Sequence, residues 1–251
     1  MMSPDVLKAA QDHALQCFPR ESCGLVVAGR YIACENTHET PEDNFKIASD
    51  VMRKHVGKIE MIVHSHPNGD FFPSEADMVG QVSTAVTWAI IVTDGTRASD
   101  PVIWGDSAPM APLLGRPFVH GIADCYSTIR DTFRLGKDAL KAADIAHSWP
   151  FDPIVLPEVP RADGWWNIEG SDLYESHFSK FGFIEIPNVE ARAGDVFLTS
   201  ILSEKLNHGG LLVEDDLLLH HLPGRLSRRE PAGLWARSAK KWIRYVGTEN
   251  V

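Results

Sequence analysis

Apolar and polar positions in the first hundred residues follow helical and extended periods in turn. Apolar side chains three and four residues apart predict amphipathic helices, whereas short apolar runs between turn residues predict strands. The helices are expected over residues 4–18, 50–58 and 74–86. The strands are expected over 23–28, 31–34, 59–64 and 87–93, the first two forming a hairpin around Gly29 and Arg30. This order predicts an α/β fold in which helices flank a mixed sheet.

The second half has a different pattern. One helix is predicted from Cys125 to about Leu135, where Ile129 and Phe133 lie four residues apart on one face. A region rich in tryptophan and proline follows. Strands are then predicted over residues 195–200, 208–213 and 217–221, the last two joined by the acidic turn 214–216. A helix followed by an antiparallel meander predicts an α+β fold for this half.

A segment rich in proline and glycine separates the two patterns. Four prolines and two glycines fall within residues 100–117, which is typical of a connector between domains. We therefore predict two domains, over residues 1–106 and 117–251, joined by a linker over residues 107–116.

Composition excludes several classes of protein. The 251 residues include 24 Lys and Arg against 34 Asp and Glu, a net charge of −10, which argues against nucleic-acid binding. No apolar stretch of about 18 residues occurs, so we expect no membrane insertion. Residues 1–5 lack a basic region followed by an apolar core, so we expect no export signal. The four cysteines are then expected to be reduced thiols.

Two histidines end an apolar strand in the first half, and a serine and an aspartate follow. His64 and His66 are two residues apart, so their side chains point to the same side of a strand. Seven residues separate His66 from Ser74, and two separate Ser74 from Asp77. Two histidine nitrogens and a carboxylate, with one position open to water, are typical of a catalytic zinc site.

The same residues also permit a structural interpretation. Ser74 and Asp77 fit a capping box that begins a helix, and an isolated pair of histidines is usually without function. Capping and metal binding do not exclude each other. The complete spacing favours the metal site.

This pattern resembles the JAMM (MPN-type) zinc metallopeptidases, in which His-x-His, Ser and Asp are combined with an upstream glutamate. The resemblance covers about residues 5–105 and implies that His64, His66 and Asp77 hold Zn²⁺. Glu21 is the best match for the glutamate, which the resemblance implies is the general base. By the same resemblance Ser74 stabilises the oxyanion, and the fold is JAMM-like.

A cysteine in the second half begins the predicted helix. Helix N-termini favour negative charge, so we expect the pKa of Cys125 to be lowered there. His208 begins a predicted strand and His220 and His221 end the next, which would place His208 near His220. One imidazole can accept the thiol proton while the other orients it. Alternatively each residue is structural, since most free cysteines are small buried side chains.

Together these residues resemble the NlpC-type papain-like cysteine peptidases, which cleave stem peptides of the bacterial cell wall. The resemblance covers about residues 117–247 and implies that Cys125 is the nucleophile and His208 the base. His220 is then the orienting residue, chosen over His221 because alternate residues of a strand face opposite sides.

The combination of both domains resembles the tail-assembly proteins of long-tailed bacteriophages. It implies a tail-tip protein whose partners are other tail-tip proteins and whose substrates are peptidoglycan peptides or tail proteins. We expect it in the host cytoplasm during assembly and at the virion tail tip. Three interpretations stay open: an active peptidase with two sites, a structural tail protein with peptidase-like docking surfaces, or an isopeptidase acting on a modifier protein.

Overall fold

The computed structural model describes residues 2–214 and 216–250. These residues form two compact units, which divide between Pro109 and Met110. Asp215, in the predicted acidic turn, lies outside the described residues. No helix in the described part of the chain has both the length and the apolar character needed to cross a bilayer.

The first unit contains a five-stranded mixed sheet. Its strands are β1 (Cys23–Val27), β2 (Arg30–Cys34), β3 (Ile59–Pro67), β4 (Thr87–Thr93) and β5 (Val102–Trp104). Their order is β2-β1-β3-β4-β5, in which β3 and β4 are parallel and the other neighbours are antiparallel. The predicted hairpin and mixed sheet are confirmed. The sequence did not predict β5, which lies within the stretch rich in proline and glycine over residues 100–117.

Three helices accompany this sheet: α1 (Pro4–Cys17), α2 (Ser49–His55) and α3 (Glu75–Thr84). The α1 helix buries Val6, Ala10 and Ala14, which are spaced four residues apart and therefore share one face. This face packs in a hydrophobic cluster with Met61 and Val63 of β3. The α3 helix makes the crossover between the parallel strands, so its N-terminus follows the end of β3.

The second unit contains a six-stranded antiparallel sheet. Its strands are β6 (Phe183–Ile186), β7 (Val196–Thr199), β8 (His208–Glu214), β9 (Leu217–His220), β10 (Arg228–Pro231) and β11 (Lys241–Tyr245). Their order is β10-β9-β8-β7-β11-β6. The chain is therefore a mixed α/β protein with one mixed and one antiparallel sheet, as predicted.

Two helices belong to the second unit, α4 (Cys125–Ala142) and α5 (Gly233–Ser238). Ile129, Phe133 and Leu140 of α4 are buried in the core of this unit. The helix is interrupted at Gly136, where φ is 69° and ψ is 174°. A side chain at Gly136 would place Cβ 2.5 Å from the Pro153 nitrogen, so glycine is required there for space as well as for φ.

Part of the predicted linker lies within the second unit, which begins at Met110. Leu113 is 1% exposed and belongs to the core that contains α4. Arg116 is buried and pairs with Asp131 at 2.6 Å, and its backbone bonds with Ser227. That each unit is a domain with its own activity remains a prediction.

Candidate functional site

The predicted metal ligands converge at the end of β3. The Nε2 atoms of His64 and His66 are 3.1 Å apart. His64 Nε2 lies 3.2 Å from Asp77 Oδ1, and His66 Nε2 lies 3.4 Å from Asp77 Oδ2. Two ligands of a tetrahedral zinc at about 2.0–2.1 Å are separated by about 3.3 Å, so these spacings fit the ion. Two imidazole nitrogens and a carboxylate are also a donor set that zinc accepts.

Ser74 holds the carboxylate of Asp77 in place. Its backbone N–H and its hydroxyl donate to Asp77 Oδ2 at 2.8 and 2.7 Å, and the Asp77 N–H donates to Ser74 Oγ at 3.1 Å. This is a complete capping box at the start of α3. Burial raises the pKa of Asp77, but His64 and the hydrogen bonds of His64, His66 and Ser74 outweigh it and lower that pKa. The Ser74 proton is thus engaged in orienting Asp77, whereas its role at an oxyanion remains a prediction.

Replacing Ser74 with alanine is expected to weaken both the helix and the metal site. Loss of the cap should lower the free energy of unfolding by about 1 kcal/mol. Loss of the hydrogen bond to a ligand should reduce zinc affinity by about 10- to 100-fold. Urea unfolding and competition with a chromophoric chelator measure the two effects. Ser83→Ala is the control, because the exposed Ser83 hydroxyl donates to the Gly80 carbonyl of the same helix; equal zinc affinity in both variants would contradict this role for Ser74.

Glu21 lies in the same cleft as the metal ligands. It is 6% exposed and lines a cleft of about 620 Å³ together with His66, Ser74 and Asp77. Its N–H donates to the Pro41 carbonyl at 2.7 Å, which fixes its backbone immediately before β1. Burial raises the pKa of Glu21 to about 8, although His66 opposes the rise. The carboxyl group is thus suited to accept and return a proton near neutral pH.

Aromatic rings enclose His64. The Phe45 ring stacks on the His64 ring at 4.5 Å between centroids. The rings of Trp88 and Trp104 are steeply inclined to the His64 ring, at 5.7 and 6.3 Å between centroids. Burial lowers the pKa of His64, which favours the neutral imidazole that a metal needs. The sequence pattern gave no indication that the two tryptophans contact a predicted metal ligand.

The second candidate site begins at the N-terminus of α4. Asp124 caps this helix by accepting from the Ser127 N–H at 2.9 Å, and its other oxygen accepts from Arg161 Nη2 at 2.6 Å. Burial raises the pKa of Asp124, but Arg161 and the Ser127 N–H outweigh it and keep that pKa well below its usual value. A buried carboxylate therefore stands directly before Cys125.

The expected lowering of the Cys125 pKa is wrong. Burial raises the pKa of this thiol to about 11, and the Asp124 charge adds to the rise. The sulfur lies 3.2 Å from the Tyr174 hydroxyl and 4.0 Å from the Asn207 carbonyl oxygen. Loss of solvent and the neighbouring carboxylate therefore disfavour the thiolate.

His208 and His220 are in contact on neighbouring strands. His208 Nε2 lies 3.0 Å from His220 Nδ1, and His220 Nε2 lies 2.8 Å from Glu230 Oε1. His221 points elsewhere, with its Nε2 3.1 Å from the Arg225 carbonyl oxygen. No hydrogen bond joins Cys125 to His208 in the described residues, although Asn207, directly before His208, approaches the sulfur.

Acid is expected to destabilise the second unit through His208. Burial and the neighbouring His220 lower the pKa of His208 to about 3, whereas the unfolded value is 6.5. Between these values the unfolded chain binds one more proton, so stability falls with decreasing pH, by at most about 1.4 kcal/mol per pH unit. His208→Gln should reduce this slope, whereas His147→Gln, at an exposed position, should not.

Urea unfolding at pH 7, 6 and 5 measures this slope. Tryptophan fluorescence is a suitable signal because five of the seven tryptophans lie in the second unit, at 149, 165, 166, 235 and 242. An unchanged slope in His208→Gln would contradict the buried neutral imidazole.

Two contacts of the second site were not predicted. Tyr174 is 49 residues from Cys125 and lies in an irregular segment, so no spacing in the sequence connects the two. Glu230 belongs to β10, a short strand without apolar alternation, although an acidic residue after the two histidine strands could have suggested a partner for His220.

Comparisons with known proteins agree with parts of this picture. Residues 3–104, which contain all predicted metal ligands, match the family model of prokaryotic homologs of the JAB domain. The tail tip assembly protein K of Escherichia phage N15 is 30% identical over 97% of this chain and 96% of its own length. The tail tip assembly protein K of Escherichia phage lambda is 33% identical over 75% of this chain and 79% of its own.

One solved structure aligns with most of the chain. An NlpC/P60 family protein from Bacillus cereus covers 93% of this chain and 66% of its own, with 9% identity and a TM-score of 0.33. A score this low does not establish a shared fold. The interpretation of the second unit therefore depends on its own residues.

Proposed function

The chain belongs to the family of the phage tail tip assembly protein K, and we propose that it is a tail-tip protein with two hydrolytic sites. Its relatives and its JAB-domain match confirm the resemblance to phage tail-assembly proteins that was predicted from the sequence. We infer zinc-dependent cleavage of a peptide or isopeptide bond in the first unit and thiol-dependent cleavage of peptidoglycan stem peptides in the second. Other tail proteins are its partners, in the host cytoplasm during assembly and at the virion tail tip.

The convergence of His64, His66 and Asp77 is the observation that carries the first activity. When bound, zinc would act as a Lewis acid and activate water for attack on a carbonyl group. Glu21 would take the proton released in that attack and deliver it to the leaving nitrogen, because its carboxyl group lines the same cleft as His66 and Asp77. The cleft of about 620 Å³ has room for an extended peptide segment.

The contact between His208 and His220 supports the second activity. At neutral pH the His208 imidazole is neutral, so it can accept the Cys125 proton as the sulfur attacks the substrate carbonyl. His220 and Glu230 then stabilise the imidazolium through the two hydrogen bonds that connect them to His208. Backbone N–H groups at the start of α4 are suited to hold the oxyanion.

One observation favours a structural role instead. The thiol of Cys125 has a raised pKa and bonds a tyrosine rather than an imidazole. This arrangement would also suit a tail protein whose peptidase-like units serve as docking surfaces for other tail-tip proteins. The two functions share the same partners and differ only in turnover.

A digestion experiment distinguishes a peptidase with two sites from a structural docking protein. The full chain, loaded with zinc, is incubated with purified peptidoglycan and with isolated tail proteins, and products are identified by mass spectrometry. Loss of one set of products on chelation and of another on thiol alkylation would support two sites. A folded, zinc-loaded chain that releases nothing from either substrate would favour the docking role.

A further inference from the structure

The Cys125 sulfur contacts the hydroxyl of a tyrosine that is distant in sequence. Tyr174 Oη lies 3.2 Å from Cys125 Sγ, a shorter contact than the 4.0 Å to the Asn207 carbonyl oxygen. The backbone N–H of Gly209 also points at the sulfur. A hydroxyl that can donate or accept and a backbone N–H that donates therefore face the atom that would attack the substrate.

The surrounding segment holds Tyr174 rigidly. Asp172 accepts from the N–H groups of Tyr174 and Glu175 at 2.9 and 3.0 Å, which fixes the turn that carries the tyrosine. The Tyr174 ring packs edge to face against Trp165 and Tyr126, at 6.2 and 6.3 Å between centroids. With 4% of its surface exposed, the side chain is positioned before any substrate arrives.

We propose that Tyr174 is a further catalytic residue of the second site, whose hydroxyl donates a hydrogen bond to the Cys125 sulfur and then to the oxyanion of the attacked carbonyl. This rests on the proposed cysteine peptidase function. In the step concerned, the sulfur–carbon bond forms, the thiol proton passes to His208, and the carbonyl π pair moves to oxygen. The Tyr174 proton is shared but never transferred. Collapse of the intermediate expels the amine, which takes the proton from His208.

The direction of this hydrogen bond follows from chemistry. A thiolate can only accept, so the O–H of Tyr174 must donate when Cys125 is ionised. Burial holds the pKa of Tyr174 well above its ordinary value, so the phenol keeps its proton. The carbonyl oxygen of the intermediate lies two bonds from the sulfur, within reach of the same hydroxyl without movement of the ring.

Tyr174→Phe tests the contact without requiring turnover. Removing the donor should destabilise the thiolate, and alkylation of Cys125 by iodoacetamide between pH 7 and 9 should become about threefold slower, because the lower thiolate fraction is partly offset by higher nucleophilicity. Tyr126→Phe is the matched control, since the Tyr126 hydroxyl donates to the Pro157 carbonyl at 2.6 Å and not to the sulfur. Peptide mapping by mass spectrometry follows Cys125 alone.

Equal alkylation rates in Tyr174→Phe and wild type would overturn the proposal. A faster rate in Tyr174→Phe would also overturn it, by showing that the tyrosine side chain only shields the thiol. If Tyr174→Phe fails to fold, 3-fluorotyrosine at position 174 keeps the ring and strengthens the donor, so alkylation should become faster. On a cleavable stem peptide, Tyr174→Phe should lower kcat by about 100-fold with little change in KM. A slower alkylation with no turnover even in wild type would preserve the contact while contradicting the peptidase function.

Discussion

Replacing Cys125 with alanine is expected to abolish the release of stem-peptide fragments from purified peptidoglycan. If the sulfur forms the acyl-enzyme, its removal should lower kcat by more than about a thousandfold. Zinc content should be unchanged, because no metal ligand of the first unit is altered. Fragment release by liquid chromatography and mass spectrometry, with zinc measured on the same samples, checks both statements.

Cys34→Ala is the matched control for this experiment. Cys34 is also a partly exposed free cysteine, but it lies on β2 of the first unit and its thiol bonds the Ile32 carbonyl. Activity should therefore persist in Cys34→Ala. Activity that survives in Cys125→Ala would exclude Cys125 as the nucleophile and leave the second unit a docking surface.

The two candidate sites differ in how far the sequence could predict them. The candidate metal site is assembled from one strand end and the helix that follows it, so His64, His66 and Asp77 could be placed by strand alternation and a capping box alone. Glu21 reaches the cleft from before β1, and only the resemblance to a known family indicated it. Local periodicity cannot predict which side chains from other elements reach the cleft.

The second site depends on packing between distant segments. Two predicted antiparallel strands joined by a short turn were enough to predict that His208 would lie near His220, because β8 and β9 are neighbours in the sequence and in the sheet. The ionisation of Cys125 was mispredicted because the helix dipole was considered without the burial and the Asp124 charge that oppose it. Both opposing effects depend on which segments cover the start of α4, and this is a tertiary property.

The strands that the sequence did not predict are β5, β6, β10 and β11, which have three to five residues each. β5 has three residues within a proline-rich stretch, and β10 is polar and half-exposed. Strands of this kind form because a neighbouring strand offers unpaired backbone groups, rather than because of their own propensity. Glu230 reaches His220 only because β10 pairs with β9.

Replacing His66 with alanine is expected to reduce zinc from about one ion per chain to less than about a tenth under dialysis against a weak chelator, since even groups outside the ligand shell typically change affinity by about 10- to 100-fold. The remaining His64 and Asp77 would offer too few donors to retain the ion. His55→Ala, on α2 of the same unit and outside the donor cluster, should keep its zinc. Elemental analysis of folded protein measures the zinc content of both variants.

Because a ligand that binds only the folded state stabilises it, added zinc should raise the Tm of wild type and His55→Ala but not that of His66→Ala. Equal zinc content and equal Tm in all three proteins would show that the convergence of His64, His66 and Asp77 does not hold a metal.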